Sequence, residues 1–445
     1  MPESTDARHT YLSSYQQFEK SDAGRRHPWL RQLREDAITR FERMGFPTTH
    51  DEGWRHTNVA PISKFPFRPA VRDFDGLTAR ELGSLTFGDD DSCRLVFING
   101  AYSEELSRAG ALPSGTRVKN LATALETERG LLGPYLARLA SFESNPFVAL
   151  NTAFLADGAF VHIPRKTVLD QVLHLVFLST SRGEASVSHP RNLILVGDDC
   201  QASIVESYGG LDHGSYFTNT VTEIVLGNNA SLDHCKLQRE SEDSFHVGTL
   251  QVLQERNSRL YSHSISLGGA LVRNDLNTVM NGEGCDSTLD GLYVTRGRQL
   301  VDNHTCIDHA RPHCDSRELY KGILDDQSRG VFSGKIIVRK DAQKTNAKQT
   351  NKNLLLSEEA LANTAPELQI FADDVKCTHG ATIGHLDEEQ LFYTRSRGIG
   401  AEAARTLLTY AFASDILGSV KFKPIQCQID LVLLTRLSRG GKLKA

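Results

Sequence analysis

Clusters of turn-forming residues recur at a nearly constant interval in the middle of this 445-residue chain. From roughly residue 160 onward, the segments between the clusters are short and rich in Val, Ile, Leu and Thr, which is typical of β-strands. Successive clusters begin 30, 28 and 27 residues apart, at Gly197, Gly227, Glu255 and Gly282. A near-constant period of this length indicates a structural repeat whose apolar surface is covered only when neighbouring units stack.

The repeat predicts a mainly β protein with a right-handed parallel β-helix at its core. Each interval is long enough for two or three short strands, and stacked coils bury an interior that no single coil can bury alone. A large antiparallel sandwich has a similar strand content and is the alternative, although the regular turn interval favours the coil. The segments expected to form the rungs are 193–196, 203–205, 222–226, 231–237, 287–294 and 331–338.

Helical patterns flank the β region on both sides. Before it, apolar residues recur every four positions, at Trp29, Leu33, Ala37 and Phe41. After it, two apolar stripes with helical spacing cover 403–417 and 425–437, and Gly418 and Pro424 separate them. We therefore predict a mostly helical N-terminal region over residues 1–155, a β-helix core over 156–372 and a C-terminal helical domain over 373–445.

The composition is that of a globular protein, with 39% hydrophobic and 24% charged residues. A net charge of -5 gives no basic footprint, so we expect no nucleic-acid partner. The N-terminus has no apolar run of the secretory kind, and the apolar stretch 407–412 stops at Asp415, so we expect no membrane span. The eight cysteines contain no C-x-x-C pair, which favours reduced thiols and a cytoplasmic location.

Cys377 and His379 are the first candidate site residues. They are two positions apart, so on a strand their side chains point to the same side and present a soft sulfur and a nitrogen donor to one point. Two ligands rarely hold a metal alone, so the remaining donors would come from elsewhere in the chain or from a partner. The alternative interpretation is a buried thiol beside a core histidine.

The wider segment adds a family resemblance. Residues 373–399, which begin Asp-Asp-Val-Lys-Cys-Thr-His-Gly, resemble the C-terminal signature of the SufB/SufD family of iron-sulfur cluster assembly scaffolds. Segments 45–57, 95–100 and 308–322 are similar to three further family segments in the expected order. Gly380 stands directly after the histidine, where SufB members tend to carry an acidic residue, so the chain looks most like the SufD branch.

The resemblance implies a parallel β-helix and a non-catalytic scaffold subunit of a SufBCD-type complex. It implies pairing with a SufB-like subunit, or with a second copy of this chain, through the β-helix edges. Cys377 as thiolate donor and His379 as nitrogen donor or proton carrier would then help to hold a transient iron-sulfur cluster at the subunit interface. The C-terminal helices would dock a SufC-like ATPase of the ATP-binding-cassette type.

The sequence shows no nucleotide-binding motif of its own. Segment 330–336 superficially resembles a phosphate loop, but it has three residues between its glycines where four are needed. Ile336 also stands where Ser or Thr would bind magnesium. We therefore interpret the segment as a strand with its turn, and any dependence on ATP would come from a partner.

A second group of candidates lies in the late β region. Cys306, His309, His313 and Cys314 are residue types found in zinc sites, but adjacent residues of a strand point to opposite faces, so a structural zinc is not expected. The family resemblance places this segment near the surface where two scaffold subunits pair. His309, His313 and Cys314 are therefore interface candidates.

Two other functions remain open at this point. Asp302, Asp308, Arg311 and Asp315 form an acidic group of the kind that cleaves polysaccharides on secreted β-helices, although no export signal precedes it. The other is a purely architectural subunit, in which Cys377 and His379 are core residues and a partner supplies every cluster ligand.

Overall fold

Two largely parallel β-sheets form the centre of the protein in the computed structural model, which describes residues 5–65, 67–70, 82–83, 86, 93–181 and 185–437. They wind into a β-solenoid of about 8 turns with helices at both termini. This confirms the predicted parallel β-helix and excludes the antiparallel sandwich, because the rungs pair in parallel.

The first sheet contains β1 (Arg68–Pro69), β4 (Arg117–Asn120), β5 (Ala159–Ile163), β7 (Ser186–Ser188), β8 (Arg191–Val196), β10 (Tyr216–Leu226), β12 (Phe245–Gln254), β14 (Leu271–Met280), β16 (Leu300–His309), β18 (Arg329–Val338) and β20 (Leu361–Ile370). The second sheet contains β2 (Arg94–Ile98), β3 (Ala101–Arg108), β6 (Leu173–Ser179), β9 (Gln201–Gly210), β11 (Ser231–Arg239), β13 (Arg259–Ser266), β15 (Asp286–Thr295), β17 (Asp315–Leu324), β19 (Asn346–Leu355) and β21 (Lys376–Gly384). Only β2 with β3 and β4 with β5 pair antiparallel among the described strands.

The turn clusters that predicted the repeat mark one corner of each coil. Asp199, Asn229 and Asn257 adopt φ values of 57°, 57° and 57° there. This left-handed conformation suits Asn and Asp better than other residues with a side chain, because their short polar side chains hydrogen-bond locally. The strand that follows each corner pairs in register with the same strand of the next coil, from Gln201 with Ser231 onward.

The helices are α1 (Thr5–Lys20), α2 (Asp22–Arg25), α3 (Arg31–Met44), α4 (Ala60–Ser63), α5 (Leu121–Thr127), α6 (Arg129–Leu132), α7 (Pro146–Ala153), α8 (Glu388–Ser396), α9 (Ala401–Ser419) and α10 (Lys423–Leu437). Two short 3-10 helices span Pro28–Leu30 and Glu52–Trp54. Helices α3, α9 and α10 occupy the segments with helical periodicity. No helix among the described residues is long and apolar enough to cross a membrane.

Helical segments cover the outer faces of both sheets. The N-terminal region packs on the first sheet, where Phe147 and Trp54 share an apolar cluster with Phe217. Helices α9 and α10 pack on the second sheet, where Ile416 and Ile429 join Ile265 in another cluster. The interior of the coil holds a separate core, so each terminal region buries an outer sheet face that would otherwise lie in water.

Two features differ from the regions predicted by sequence. Strand β2 of the N-terminal region pairs with β6 and so extends the second sheet of the solenoid. At the other end, the solenoid continues to Gly384, because β21 pairs with β19 beyond the predicted boundary at residue 372. Part of the N-terminal region, between residues 71 and 92, and the last eight residues of the C-terminal region lie largely outside the described residues.

Candidate functional site

Cys377 and His379 lie on β21, the strand that ends the second sheet in the described part of the chain. Cys377 is in register with Ala347 and His379 with Gln349, and both of these β19 residues are buried. Cys377 is half-buried and packs against the interior core, whereas His379 is exposed. The two side chains therefore face the interior side of the last coil at its open end, where a further coil would otherwise cover them.

Burial raises the pKa of the Cys377 thiol above its ordinary value, although a backbone hydrogen bond with Ala347 opposes the shift. The thiol is therefore neutral at physiological pH. A soft metal ion that binds this sulfur would have to displace the proton, so metal binding at Cys377 would release a proton.

A polar column lies beneath His379 in the coil interior. Gln349, one coil below, donates a hydrogen bond from Nε2 to Oε2 of Glu318 at 2.7 Å, and Glu318 is one coil below that. Both side chains are buried, and burial raises the pKa of Glu318 to about 7. Sequence reasoning assigned Glu318 no role. Its position within segment 308–322, at inward spacing from Tyr320, was the available signal.

The described residues contain no group of three or more His, Cys, Asp and Glu side chains placed to hold a metal ion. Cys377 and His379 thus offer two donors at the open end of the coil, which is fewer than a tetrahedral site requires. A cluster bound there would need further donors.

The open end also carries exposed apolar side chains. Leu361, Ile370, Phe371 and Ile383 are 49%, 40%, 64% and 48% exposed, respectively. They lie on or directly beside β20 and β21, the last strands of the two sheets. An unpaired terminal strand with apolar neighbours is a surface on which another chain can pair.

The structure separates the three interface candidates. His309 is fully buried, with its Nε2 at 2.9 Å from Oγ of Ser316, and Cys314 is fully buried in the interior core. Neither side chain is therefore accessible at the surface of this chain, because strand alternation and the corner turn direct both of them inward. His313 alone of the three is exposed, with 59% of its side chain accessible and a φ of 59°.

The acidic group of the alternative enzyme does not form a catalytic pair. Asp302 is buried between the first sheet and the N-terminal region, and its carboxylate pairs with Arg273 at 2.6 Å. Asp308 pairs with Arg339 at 2.6 Å on the outer face of the sheet. Asp315, the third carboxylate of the group, accepts a hydrogen bond from Nδ2 of Asn346 at 2.9 Å. With two of the three carboxylates engaged by arginine, the arrangement does not favour glycoside cleavage, which needs a free acid and a free base.

These features define a class of protein: a parallel β-helix flanked by helices, with a thiol and an imidazole at the open end of its last coil. Residues 177–412 match the family model described as "SUF system FeS cluster assembly, SufBD core domain". Residues 5–175 match the model of the SufBD protein N-terminal region. The chain belongs to the SufBD family of iron-sulfur cluster assembly proteins.

The chain is similar to several curated proteins. An iron-sulfur cluster assembly SufBD family protein of Synechocystis sp. is 37% identical over 88% of this chain and 88% of its own length. The iron-sulfur cluster assembly protein SufD of Escherichia coli is 30% identical over 99% of both chains. The chloroplastic protein ABCI7 of Arabidopsis thaliana is 30% identical over 90% of this chain. The resemblance to SufD is therefore shown along nearly the whole chain.

Proposed function

We propose that this protein is a non-catalytic scaffold subunit of a SufBCD-type complex that builds or transfers iron-sulfur clusters in the cytoplasm. The observation that carries the proposal is the position of Cys377 and His379 on β21, at the open end of the β-helix. A SufB-like subunit that pairs with this end would supply the further donors that the chain lacks. The cluster is the cargo of the complex, held transiently between the two subunits.

The edges at the open end support this pairing. Strands β20 and β21 are the edge strands of their sheets within the described residues, so their outer backbone groups are available for hydrogen bonds with another strand. Phe371 and Ile383 are large exposed side chains beside them. Burying this apolar surface would add to the backbone hydrogen bonds and fix the partner's register.

The chemistry of the two side chains suits an iron-sulfur cargo. Cys377 would act as a thiolate donor, and His379 as a nitrogen donor or a proton carrier. Because burial holds the thiol of Cys377 neutral, this sulfur would bind iron only when its proton leaves. His379 lies on the same face, where it would accept that proton.

The C-terminal helices are the proposed docking surface for a SufC-like ATPase. Phe392 of α8, Leu407 of α9 and Leu431 of α10 are 73%, 50% and 67% exposed, although the opposite sides of α9 and α10 pack on the solenoid. Exposed leucines and a phenylalanine on adjacent helices favour contact with another protein. ATP would be bound and hydrolysed by that partner.

The decisive experiment is anaerobic reconstitution of the complex, co-purified with its SufB-like and ATPase subunits, from ferrous iron and sulfide. We expect Cys377→Ala and His379→Ala to lower the visible absorbance of the assembled cluster severalfold, while the subunit ratio of the complex stays unchanged. His213→Ala is the matched control for His379→Ala, because His213 is exposed in the turn between β9 and β10, away from β21 and from the C-terminal helices.

Two outcomes would contradict parts of the proposal. Normal cluster assembly by Cys377→Ala and His379→Ala complexes would support the purely architectural alternative, with every ligand on the partner. A chain that purifies without an ATPase and without a second scaffold subunit would contradict the complex itself. Size-exclusion chromatography with light scattering of the isolated chain separates a homodimer from a monomer.

A further inference from the structure

One corner of the β-helix carries a column of buried residues, each directly before a strand of the second sheet. The residues that follow them pair in register from coil to coil, so neighbours in the column are one strand spacing apart, about 4.8 Å. At one place in the column two sulfur atoms are neighbours, at Cys285 and Cys314. In chain order the column is Cys200, Ala230, Ser258, Cys285, Cys314 and Thr345.

The contacts around Cys285 and Cys314 hold the two thiols together. Sγ of Cys285 donates to the carbonyl oxygen of Gly282 at 3.2 Å, and Sγ of Cys314 donates to the same oxygen at 3.4 Å. The amide after Cys314, that of Asp315, donates to the carbonyl oxygen of Cys285 at 2.9 Å. One strand spacing between Cα atoms lies within the range of about 4.4–6.8 Å that a disulfide spans.

The two thiols also differ in acidity. The hydrogen bond with Cys314 lowers the pKa of Cys285 to about 7, and the same bond raises the pKa of Cys314. The lowered pKa favours the thiolate of Cys285, which is the nucleophilic form of the side chain. Cys200 occupies the same kind of corner without a neighbouring sulfur, and burial raises the pKa of its thiol.

We propose that Cys285 and Cys314 are a redox-active thiol pair, which a hydroperoxide converts to a disulfide between consecutive coils. With hydrogen peroxide as the oxidant, the Cys285 sulfur attacks one peroxide oxygen and the O–O bond breaks. Cys285 becomes a sulfenic acid, and the second oxygen leaves as water. The Cys314 sulfur then attacks the resulting sulfenic acid, the S–O bond breaks, and a second water leaves. Two thiols lose two electrons and two protons, and the peroxide is reduced to two waters.

Both thiols are buried, but the turns beside them lie at the surface. Glu283 and His313, on the two turns that enclose the sulfurs, are exposed. In the proposed reaction, peroxide would reach Cys285 when one of these turns opens. The disulfide would join the coils below those that end at β21, so it uses no atom of Cys377 or His379 and stands apart from the proposed cluster chemistry.

The test is to treat the folded full-length chain with hydrogen peroxide, block the remaining thiols, and map the unreduced digest by mass spectrometry. We expect the peptides containing Cys285 and Cys314 to be joined, with a mass lower by two hydrogens. The thermal midpoint should rise in the oxidised protein and return to its starting value after reduction with dithiothreitol. Cys285→Ser and Cys314→Ser should each abolish the link and the rise.

The column offers a matched control and a gain of function. Cys200→Ser should leave the link between Cys285 and Cys314 unchanged, because Cys200 faces Ala230 in the next coil. Ala230→Cys should create a second peroxide-dependent link, to Cys200, if stacking in this column is the cause. The proposal is overturned if exposed Cys427 is oxidised while Cys285 and Cys314 stay reduced, or if they link only after the protein is unfolded.

Discussion

Nζ of Lys321, on β17, lies 2.5 Å from Oδ2 of Asp415 on helix α9. The same ammonium donates to the carbonyl oxygen of Phe412 at 2.7 Å and lies 4.8 Å from the centroid of the Phe412 ring. Lys321 is 3% exposed, so its charge is compensated almost wholly by the helix. The contact therefore fixes the C-terminal helices, the proposed ATPase surface, to the second sheet.

We predict that Lys321→Met loosens helix α9 from the solenoid. The substitution keeps the apolar stem and removes the charge-assisted hydrogen bonds, which contribute on the order of 1 kcal/mol because Asp415 itself is 63% exposed. Amide hydrogen exchange should be faster over Ala401–Ser419 and unchanged in the strands. Lys352→Met is the matched control, since Lys352 is the register neighbour of Lys321 and is exposed. Equal exchange in the two variants would refute a role for the contact.

We predict that Asp302→Asn destabilises the fold, because Asp302 joins the N-terminal region to the first sheet. Its carboxylate accepts from Thr57 Oγ1 at 2.6 Å, across 245 residues of sequence, and from Arg273 Nη1 at 2.6 Å. Arg273 also lies 4.1 Å from the centroid of the Trp54 ring. Weakening a buried pair from one side costs on the order of 3 kcal/mol, which urea unfolding would measure.

The same carboxylate should make the protein sensitive to acid. Burial alone would raise the pKa of Asp302, but Arg273 and His304 outweigh it and hold the pKa well below its ordinary value. The stabilisation is therefore present above about pH 4 and is lost as the pH falls below that. Asp308→Asn is the control on the same strand, because Asp308 pairs with Arg339 at the surface and should cost less than about 1 kcal/mol. A similar loss in both variants would show that burial of Asp302 is not the cause.

We predict that Glu318 gives the stability of the fold the opposite dependence on pH. Its pKa is raised to about 7 by burial, so the folded protein keeps this proton over a range in which the unfolded chain has lost it. The stabilisation from the neutral form is complete below about pH 4.5 and is lost as the pH rises through about 7. We expect the thermal midpoint of the native protein to fall, relative to Glu318→Gln, between about pH 5 and pH 8.

An exposed glutamate provides the control for this measurement. Glu367 of β20 lies 3.3 Å from Lys335 and is 50% exposed, so Glu367→Gln should leave the pH profile parallel to that of the native protein. If Glu318→Gln is also parallel to the native profile, the Glu318 carboxyl is not held neutral in the folded state.

The coil was predictable from sequence because its signal is local. Turn residues such as Asn229 and Asn257 occupy left-handed positions that few other residues accept, and they recur once per coil. The side-by-side placement of Cys377 and His379 follows from strand alternation in the same local way. The structure continues the coil beyond the predicted boundary at residue 372, because Asp373 and Asp374 form one more corner, at which Lys344 pairs with Asp374, and β21 follows it.

The column beneath His379 and the burial of His309 depend on register, which a repeat interval alone does not specify. Coil lengths vary, and a shift of one residue would turn Gln349 or Glu318 from the interior to the outer face. The thiol pair at Cys285 and Cys314 depends on register in the same way, since one residue more in that coil would separate the two sulfurs. These groupings are visible only when the coils are stacked.

We predict that the exposed leucines of the C-terminal helices are needed for binding of the ATPase partner. Leu407→Asp and Leu431→Asp place charge on surfaces that are 50% and 67% exposed in the isolated chain, so the fold should tolerate them. If a partner buries these side chains, each substitution should weaken binding at least tenfold, because it loses apolar contact and buries an unpaired carboxylate. Isothermal titration of the purified chain with the ATPase measures the effect.

Val168→Asp is the matched control for the leucine variants. Val168 is 55% exposed but lies on the solenoid, and its substitution should leave the affinity for the ATPase unchanged. Unaltered binding by both leucine variants would place the ATPase elsewhere on the chain.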